Sequence, residues 1–174
     1  NNQDNYTNTT HIRQSIQDIH ASEFDKRGHS DGWFVETMPD LNQKNPLVSK
    51  YLIQNAIWWI EYAGLSGLRV DTYPYADRDF MGDWTRDIMV EYPKFNIVGE
   101  EWSPNPAITS YWQMGKQNHD GYISSLPSLM DFPLQIAFIE ALNDDFGWGK
   151  GFIKAYRMLA NDFLYADPYN LVIF

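Results

Sequence analysis

Apolar residues recur every three or four positions in four separate stretches of the chain, which is the period of an α-helix that buries one face. The four stretches are 46–64, 79–93, 133–140 and 152–163. Pro46 is suited to the first turn of the first helix, and Gly64 is suited to its C-cap. Asp79 is the expected N-cap of the second helix, which Pro93 should end. The pattern therefore predicts four amphipathic helices.

Short apolar runs without a helical period lie between these helices and after the last one. They cover 67–71, 95–99, part of 122–130, and 171–174. Runs of this length are typical of strands that are buried on both faces, and their alternation with helices indicates parallel βαβ units. Residues 1–45 are polar without a clear period, so we expect an irregular segment there.

This α/β pattern is shorter than the closed barrel that it most resembles. A complete (β/α)8 barrel has eight strands in about 250 residues, whereas the pattern here predicts four strands in 174 residues. We therefore interpret the chain as an internal fragment of a larger barrel. A fragment with open strand edges should be poorly soluble or should form an oligomer that covers them.

Two of the predicted strands end in carboxylates, Asp71 and Glu100, which are 29 positions apart. That separation is one βαβ step, and active sites of barrels lie at the C-terminal ends of the strands. Neighbouring strands are about 4.8 Å apart, so the two carboxyls can face each other at the roughly 5 to 5.5 Å that a retaining glycosidase requires. The alternative is that each acid caps the next helix or is solvated, and spacing alone favours that alternative.

Composition narrows the class of ligand. The net charge of −10 argues against nucleic acid and against an anionic membrane surface, and no apolar run is long enough to span a bilayer. The aromatic share of 16%, with 7 Trp and 11 Tyr, indicates either a large aromatic core or surfaces for the apolar faces of sugar rings. The chain has no cysteine, and its first residues have no signal-peptide pattern.

Three short segments resemble motifs of the α-amylase family, glycoside hydrolase family 13, and they occur in that family's order. Residues 67–71 resemble its strand-4 motif, 95–102 its strand-5 motif, and 38–42 the motif near the end of the domain inserted after strand 3. The stretch 125–133 is similar to the strand-6 region of neopullulanases and cyclomaltodextrinases. The resemblance implies a partial (β/α)8 barrel, about strands 4 to 7, over 46–174, preceded by the end of the inserted domain over 1–45.

The resemblance also implies roles for individual residues. Asp71 is the expected nucleophile, kept ionised by Arg69 on the same strand face, and Glu100 is the expected general acid/base in a dry, negative setting. Glu101 should point to the other side of the strand as a structural acid. The implied substrate contacts are Arg69, Tyr73, Tyr75 and Trp102. The implied activity is double-displacement hydrolysis of α-glucosidic bonds in starch-derived glucans.

Several features depart from the family pattern. The sequence 118–120, Asn-His-Asp, looks like the motif of the third catalytic acid, but it follows Glu100 too closely and should lie in a loop before the sixth strand. Pro74 and Tyr75 stand where many α-amylases have Lys-His, which favours a neopullulanase or cyclomaltodextrinase over a starch endo-amylase.

Two alternatives follow from these departures. One is a non-catalytic carbohydrate-binding or transporter-associated protein of the same fold, and the other is an inactive fragment. We expect no required cofactor and no metal site, although oxygen ligands such as Asp4, Asp31 or Asp40 are consistent with Ca²⁺ in a full-length parent. The expected partner is an oligo- or polysaccharide. No compartment is assigned, and the resemblance leans toward a periplasmic or extracellular protein.

Overall fold

A four-stranded parallel sheet with the order β1-β2-β3-β4 is the centre of the computed structural model, which describes residues 4–145 and 147–173. Its strands are β1 (Gly67–Val70), β2 (Asn96–Gly99), β3 (Ser128–Met130) and β4 (Leu171–Val172). Each strand pairs with the next one along the chain, as in a slice of a (β/α)8 barrel. The predicted strands and their parallel arrangement are confirmed, and Phe174, at the end of the last predicted run, lies outside the described residues.

Helices connect and cover the strands. Their bounds are α1 (Glu23–Ser30), α2 (Pro46–Ala63), α3 (Arg78–Glu91), α4 (Pro106–Ser110), α5 (Phe132–Asn143) and α6 (Ile153–Leu159). The predicted first helix is confirmed as α2: the side chain of Asn45 accepts from the amide of Leu47, Pro46 follows it, and Gly64 ends the helix in the left-handed region at φ 61°. None of the helices in the described residues is long and apolar enough to cross a membrane.

Two predictions about the helices are wrong, one on the start of α3 and one on the segment 1–45. Helix α3 has Asp77 as its N-cap, not Asp79, because the Asp77 carboxylate accepts from the amide of Phe80. The segment 1–45 is not irregular throughout, since it contains α1, which Ser22 caps by accepting from the amide of Asp25. Most of the α1 side chains are polar, so the helix has little apolar periodicity to reveal it.

The core lies where α3 packs against the middle strands. Ile97 of β2, Leu129 of β3 and Ile88 of α3 are fully buried, and Trp112 from the loop after α4 is buried with them. Strand β1, by contrast, alternates between exposed and half-buried positions. The sheet is therefore well packed at its centre and open at the β1 edge.

Backbone hydrogen bonds join different parts of the N-terminal segment, residues 4–45, and the segment packs against the turn after β1. Thr9 and Trp33 are joined by a backbone hydrogen bond of 2.9 Å, and Thr10 donates to the carbonyl of Gly28. The side chain of Trp33 is buried and stacks on Tyr6. The assignment of residues 1–45 to an inserted domain and of 46–174 to the barrel stays a prediction, and residues 1–3 lie outside the described residues.

Helix α2 presents an aromatic surface on the side that faces away from the core. Its exposed apolar residues are Leu47, Tyr51, Trp58, Trp59 and Tyr62. The rings of Trp58 and Tyr62 stack 4.7 Å apart at an interplanar angle of 8°. An exposed apolar surface of this kind next to an open strand edge favours association.

We therefore expect the isolated 174-residue chain to self-associate, as seen by a sedimentation coefficient that rises with concentration. Replacing Trp58 and Tyr62 with Lys should reduce the association, because it adds charge to the aromatic surface. Arg86→Glu, on the polar side of α3, is the matched control and should leave it unchanged. A monodisperse monomer at every concentration would show that these surfaces do not drive contact between copies.

Candidate active site

Two carboxylates at the ends of neighbouring strands share one guanidinium. Nη2 of Arg69 lies 2.9 Å from Oδ1 of Asp71 and 2.5 Å from Oε1 of Glu100. The two carboxylate oxygens are therefore no further apart than the sum of these distances, 5.4 Å. This upper limit agrees with the separation that a retaining glycosidase needs, roughly 5 to 5.5 Å between carboxyls. The expected meeting of the two acids at adjacent parallel strands is confirmed, while their roles remain to be tested.

The backbone places these side chains. Strand pairing continues one residue beyond β2, where the amide of Glu100 donates to the carbonyl of Val70 at 3.0 Å and the amide of Tyr73 donates to the carbonyl of Glu100 at 3.2 Å. Side chains alternate along a strand, so Arg69 and Asp71 point to the same face. The Asp71 side chain is 62% exposed, whereas Glu100 is only 4% exposed. Asp71 is therefore open to a ligand and Glu100 is set deeper.

Thr72 turns the chain directly after Asp71 in a strained conformation. Its φ of 44° and ψ of 40° place a β-branched residue in the left-handed region, which costs about 1–2 kcal/mol. In that conformation its amide donates to Oε2 of Glu100 at 2.9 Å. The turn thus supplies a fixed donor to the second oxygen of the buried acid.

The pKa of Glu100 lies below its ordinary value. Burial raises this pKa, but three groups that favour the ionised form outweigh burial: the Thr72 amide, the Trp102 side chain and the Arg69 guanidinium. In this arrangement the ionised form of Glu100 is favoured, and its role as the general acid/base stays a prediction. The expected burial is present, but the hydrogen-bond donors around the Glu100 carboxylate outweigh its effect on the pKa.

The aromatic residues expected to contact substrate occupy different settings. Trp102 is 60% exposed next to Glu100 and leans on Phe132 with ring centres 4.4 Å apart, so it offers an open ring. The Tyr73 side chain is 1% exposed and packs in the core against Trp112, so its ring offers no open face, and its role as a substrate contact stays a prediction. Its hydroxyl donates to the carbonyl of Met81, and burial raises its pKa well above the ordinary value.

Tyr75 lines a small cleft beside Asp71. The cleft has a volume of about 170 Å³, and its lining includes Phe34, Asp71, Thr72 and Tyr75. The Tyr75 ring meets the Phe34 ring edge to face at 4.8 Å. The N-terminal segment therefore forms one wall of the cleft, and the turn after β1 forms the other.

Glu101 points away from the acid pair, as expected, into a buried ion pair. It is 1% exposed, and its Oε1 accepts from Nη1 of Arg13 at 2.7 Å. Burial raises the pKa of Glu101, and the Arg13 charge opposes that rise. Sequence reasoning missed Arg13, since no periodicity relates two residues 88 positions apart.

Sequence reasoning also missed the role of His29, which fastens α1 to the turn after Asp71. The His29 side chain is fully buried, and its Nε2 lies 3.2 Å from the carbonyl oxygen of Pro74. Burial lowers the pKa of His29 to about 4, although the hydrogen bond with Pro74 acts in the opposite direction. The neutral imidazole is therefore part of the folded site.

The Asn-His-Asp sequence at 118–120 lies in a loop before β3, as predicted. The Asp120 carboxylate accepts from Arg78 at 2.6 Å, from the hydroxyl of Tyr111 at 2.8 Å and from the amide of Tyr122 at 3.1 Å. Asn118 donates to the carbonyls of Tyr111 and Tyr122. These contacts stabilise the loop, so Asp120 is occupied in a structural role.

Two of the acids considered for Ca²⁺, Asp31 and Asp40, contact protein donors in this structure. The Lys44 ammonium lies 3.0 Å from Oδ1 of Asp31 and 3.6 Å from Oδ2 of Asp77. Arg27 contacts the other oxygen of Asp31, and Gln43 donates to Asp40. Among residues 4–145 and 147–173, no three acidic or histidine side chains form a group that could hold a metal.

Comparison with known proteins adds a family and several relatives. The family model described as "Alpha amylase, catalytic domain" matches residues 30–146. An intracellular maltogenic amylase of Bacillus subtilis (strain 168) is 31% identical over 112 residues, which are 64% of this chain and 17% of that protein. A cyclomaltodextrinase of Thermoanaerobacter pseudethanolicus is 31% identical over 106 residues, which are 61% of this chain and 16% of that protein.

A solved structure gives the same result for the fold. An α-amylase of Geobacillus thermoleovorans, crystallised with acarbose, matches with a TM-score of 0.69 and 28% identity over 88% of this chain and 32% of that chain. The matched part of the chain spans less than a fifth of the length of the maltogenic amylase and the cyclomaltodextrinase. The name of the Bacillus subtilis relative gives no support to a periplasmic or extracellular location.

The lowered pKa of His29 predicts acid destabilisation of the folded site. The histidine pKa falls from 6.5 in the unfolded chain to about 4 in the folded one, so this contribution is complete above pH 6.5 and is lost as the pH falls toward 4. The loss amounts to roughly 3 kcal/mol. Urea unfolding between pH 7 and 4 should show this slope, and His29→Gln should flatten it. The exposed His20→Gln variant is the control, and equal slopes for both variants would contradict the account.

The lowered pKa of Glu100 predicts a titration that Arg69 controls. With ¹³C-labelled glutamate side chains, Glu100 should titrate below 4.5. Arg69→Met should raise the pKa of Glu100, because burial raises this pKa and the opposing effect of the guanidinium is then removed. A Glu100 that titrates at or above 4.5 in the unsubstituted protein would contradict the role given to Arg69.

Proposed function

Because the chain belongs to the α-amylase family, glycoside hydrolase family 13, we propose that the whole protein that carries it is a retaining hydrolase of α-glucosidic bonds. Its substrates would be starch-derived α-glucans of the kind that cyclomaltodextrinases and neopullulanases cleave. The observation that supports this proposal most strongly is the pair of carboxylates, Asp71 and Glu100, held within 5.4 Å by Arg69.

The exposure of the two acids supports separate roles in a double displacement. Asp71 is open, so one of its oxygens attacks the anomeric carbon while Glu100 gives a proton to the leaving oxygen. The bond between the sugar carbon and the leaving oxygen breaks, and a glycosyl ester forms on Asp71. Glu100 then removes a proton from water, whose oxygen attacks the same carbon and releases Asp71. Two inversions retain the α-configuration.

Glu100 must gain a proton before the first step, and its contact with Arg69 determines when it can do so. In the free site the guanidinium contacts both acids and favours the ionised form of Glu100. When a sugar approaches, we propose that Arg69 keeps its contact with Asp71 and releases Glu100. Burial and the negative charge of Asp71 then raise the pKa of Glu100, which takes its proton from solvent.

The rings around the acids support a carbohydrate ligand. Trp102 offers an exposed face beside Glu100, and Tyr75 with Phe34 lines the cleft beside Asp71. Pyranose rings pack their apolar faces on aromatic rings of this kind. Tyr75 also stands where many α-amylases have the histidine of Lys-His, which favours the cyclomaltodextrinase and neopullulanase group. The names of two relatives, a cyclomaltodextrinase and a neopullulanase, are consistent with this choice.

One observation favours a second candidate, a carbohydrate-binding protein without hydrolytic activity. Arg69 and the Thr72 amide hold Glu100 ionised, which suits binding of sugar hydroxyls better than proton donation. Such a protein would bind maltotriose and leave it intact. Incubation of the whole protein with maltotriose and cyclodextrin therefore separates the two candidates directly.

We expect Asp71→Asn and Glu100→Gln each to lower kcat on cyclodextrin by about 10² to 10⁴, since each keeps shape and removes charge or proton transfer. Glu140→Gln, an ion-paired surface acid on α5, is the matched control and should keep the unsubstituted rate. Proton NMR of the first product should show the α-anomer. A β-anomer as the first product, or an Asp71→Asn variant with unchanged kcat, would rule out the proposed mechanism.

A further inference from the structure

Arg13 and Glu101 form an ion pair close to Tyr75, and this pair involves neither Asp71 nor Glu100. Nη1 of Arg13 is 2.7 Å from Oε1 of Glu101, and the two side chains are 21% and 1% exposed. Arg13 comes from the N-terminal segment and Glu101 from the end of β2, so the pair joins two parts of the chain that are 88 positions apart. A buried pair of this kind adds little net stability compared with apolar residues, but it can fix the position of its neighbours.

The neighbour that this pair positions is Tyr75. The second guanidinium nitrogen of Arg13, Nη2, donates to the Tyr75 hydroxyl at 3.5 Å, and Nδ1 of His11 lies 3.2 Å from the same oxygen. The Tyr75 ring packs against the rings of Phe34 and His29, with ring centres 4.8 Å and 4.5 Å apart. The hydroxyl is thus held by polar groups and the ring by aromatic ones.

The position of Tyr75 matters because the residue forms a wall of the cleft beside Asp71. The cleft has a volume of about 170 Å³, and a pyranose ring bound beside Asp71 would share this space with the Tyr75 ring. A small rotation of the Tyr75 ring would change the space that is left for such a ring. Any group that fixes the Tyr75 hydroxyl therefore affects which sugar unit fits next to Asp71.

We propose that the Arg13–Glu101 pair is a positioning device that sets substrate affinity by holding Tyr75 as a wall of the cleft. The inference rests on the proposed function, because it takes an α-glucan as the ligand. Glu101 orients Arg13, Arg13 holds the Tyr75 hydroxyl, and the Tyr75 ring contacts the sugar. Neither Arg13 nor Glu101 acts on the bond that is cleaved.

The test measures maltotriose binding by calorimetry in the whole protein carrying Asp71→Asn, in which hydrolysis is too slow to disturb the measurement. Arg13→Met combined with Glu101→Gln removes both charges together and leaves no unpaired buried ion, which protects folding. This double variant should weaken maltotriose binding about tenfold, because the Tyr75 hydroxyl loses its Arg13 donor and the ring is less well fixed. Arg86→Met, which removes an exposed ion-paired arginine on α3, should leave binding unchanged.

Tyr75→Phe distinguishes a positioning role from general damage to the structure. In that background the hydroxyl is absent, so adding the double variant should weaken binding by less than about twofold. If the double variant still weakens maltotriose binding about tenfold in the Tyr75→Phe background, the two effects are independent and the inference is overturned. In the active protein the double variant should raise KM and leave kcat within about twofold, because Asp71 and Glu100 are untouched.

Arg13→Lys provides a conservative variant. Lysine keeps the charge opposite Glu101, but its single ammonium does not reproduce the two-armed contact. Its urea midpoint should stay at that of the unsubstituted protein while maltotriose binding weakens, and unchanged binding would overturn the inference. A whole protein that does not bind maltotriose at all would overturn the proposed function together with the inference. Binding that is insensitive to the double variant would overturn the inference alone.

Discussion

The contact between Arg69 and two carboxylates is the interaction on which the site depends. Without it, Asp71 and Glu100 would bring two negative charges within a few ångströms at the end of a sheet, where like charges repel. Strand pairing brings these residues together, since Arg69 stands opposite Val98 in register and Glu100 comes two residues after Val98, directly after β2. The parallel sheet therefore creates the acid pair, and the guanidinium makes the pair stable in the absence of a ligand.

The N-terminal segment completes what the sheet begins. His29 holds the turn after Asp71 through the carbonyl of Pro74, and Arg13 pairs with Glu101 at the back of the same turn. Phe34 then packs edge to face against Tyr75, and both rings line the cleft. The sheet places the acids, and this segment shapes the space in front of them.

The sequence predicts the sheet and the longest helix because local chemistry determines both. Short apolar runs mark β1 and β2, and Pro46 with Gly64 marks the bounds of α2. Local chemistry also explains the errors. Asp77 and Asp79 are both capable of capping α3, and only the geometry of the turn selects Asp77.

The acid pair was predictable from motifs, but its environment was not. The burial of Tyr73 depends on packing against Trp112, which lies 39 positions later in the chain. The ion pair of Arg13 and the lowered pKa of Glu100 arise from residues that meet only in the folded chain. Long-range contacts of this kind leave no periodic signal, so they are seen only in the structure.

The central claim is that Asp71 becomes covalently bonded to the sugar, and trapping that bond tests it most directly. The whole protein with Glu100→Gln, incubated with an α-maltosyl fluoride, should accumulate a glycosyl ester, because the activated leaving group departs without a proton and water is no longer deprotonated. Mass spectrometry of a peptic digest should place the added maltosyl mass on the peptide that contains Asp71. A label on another carboxylate, or consumption of the fluoride with inversion and no labelled peptide, would contradict the account.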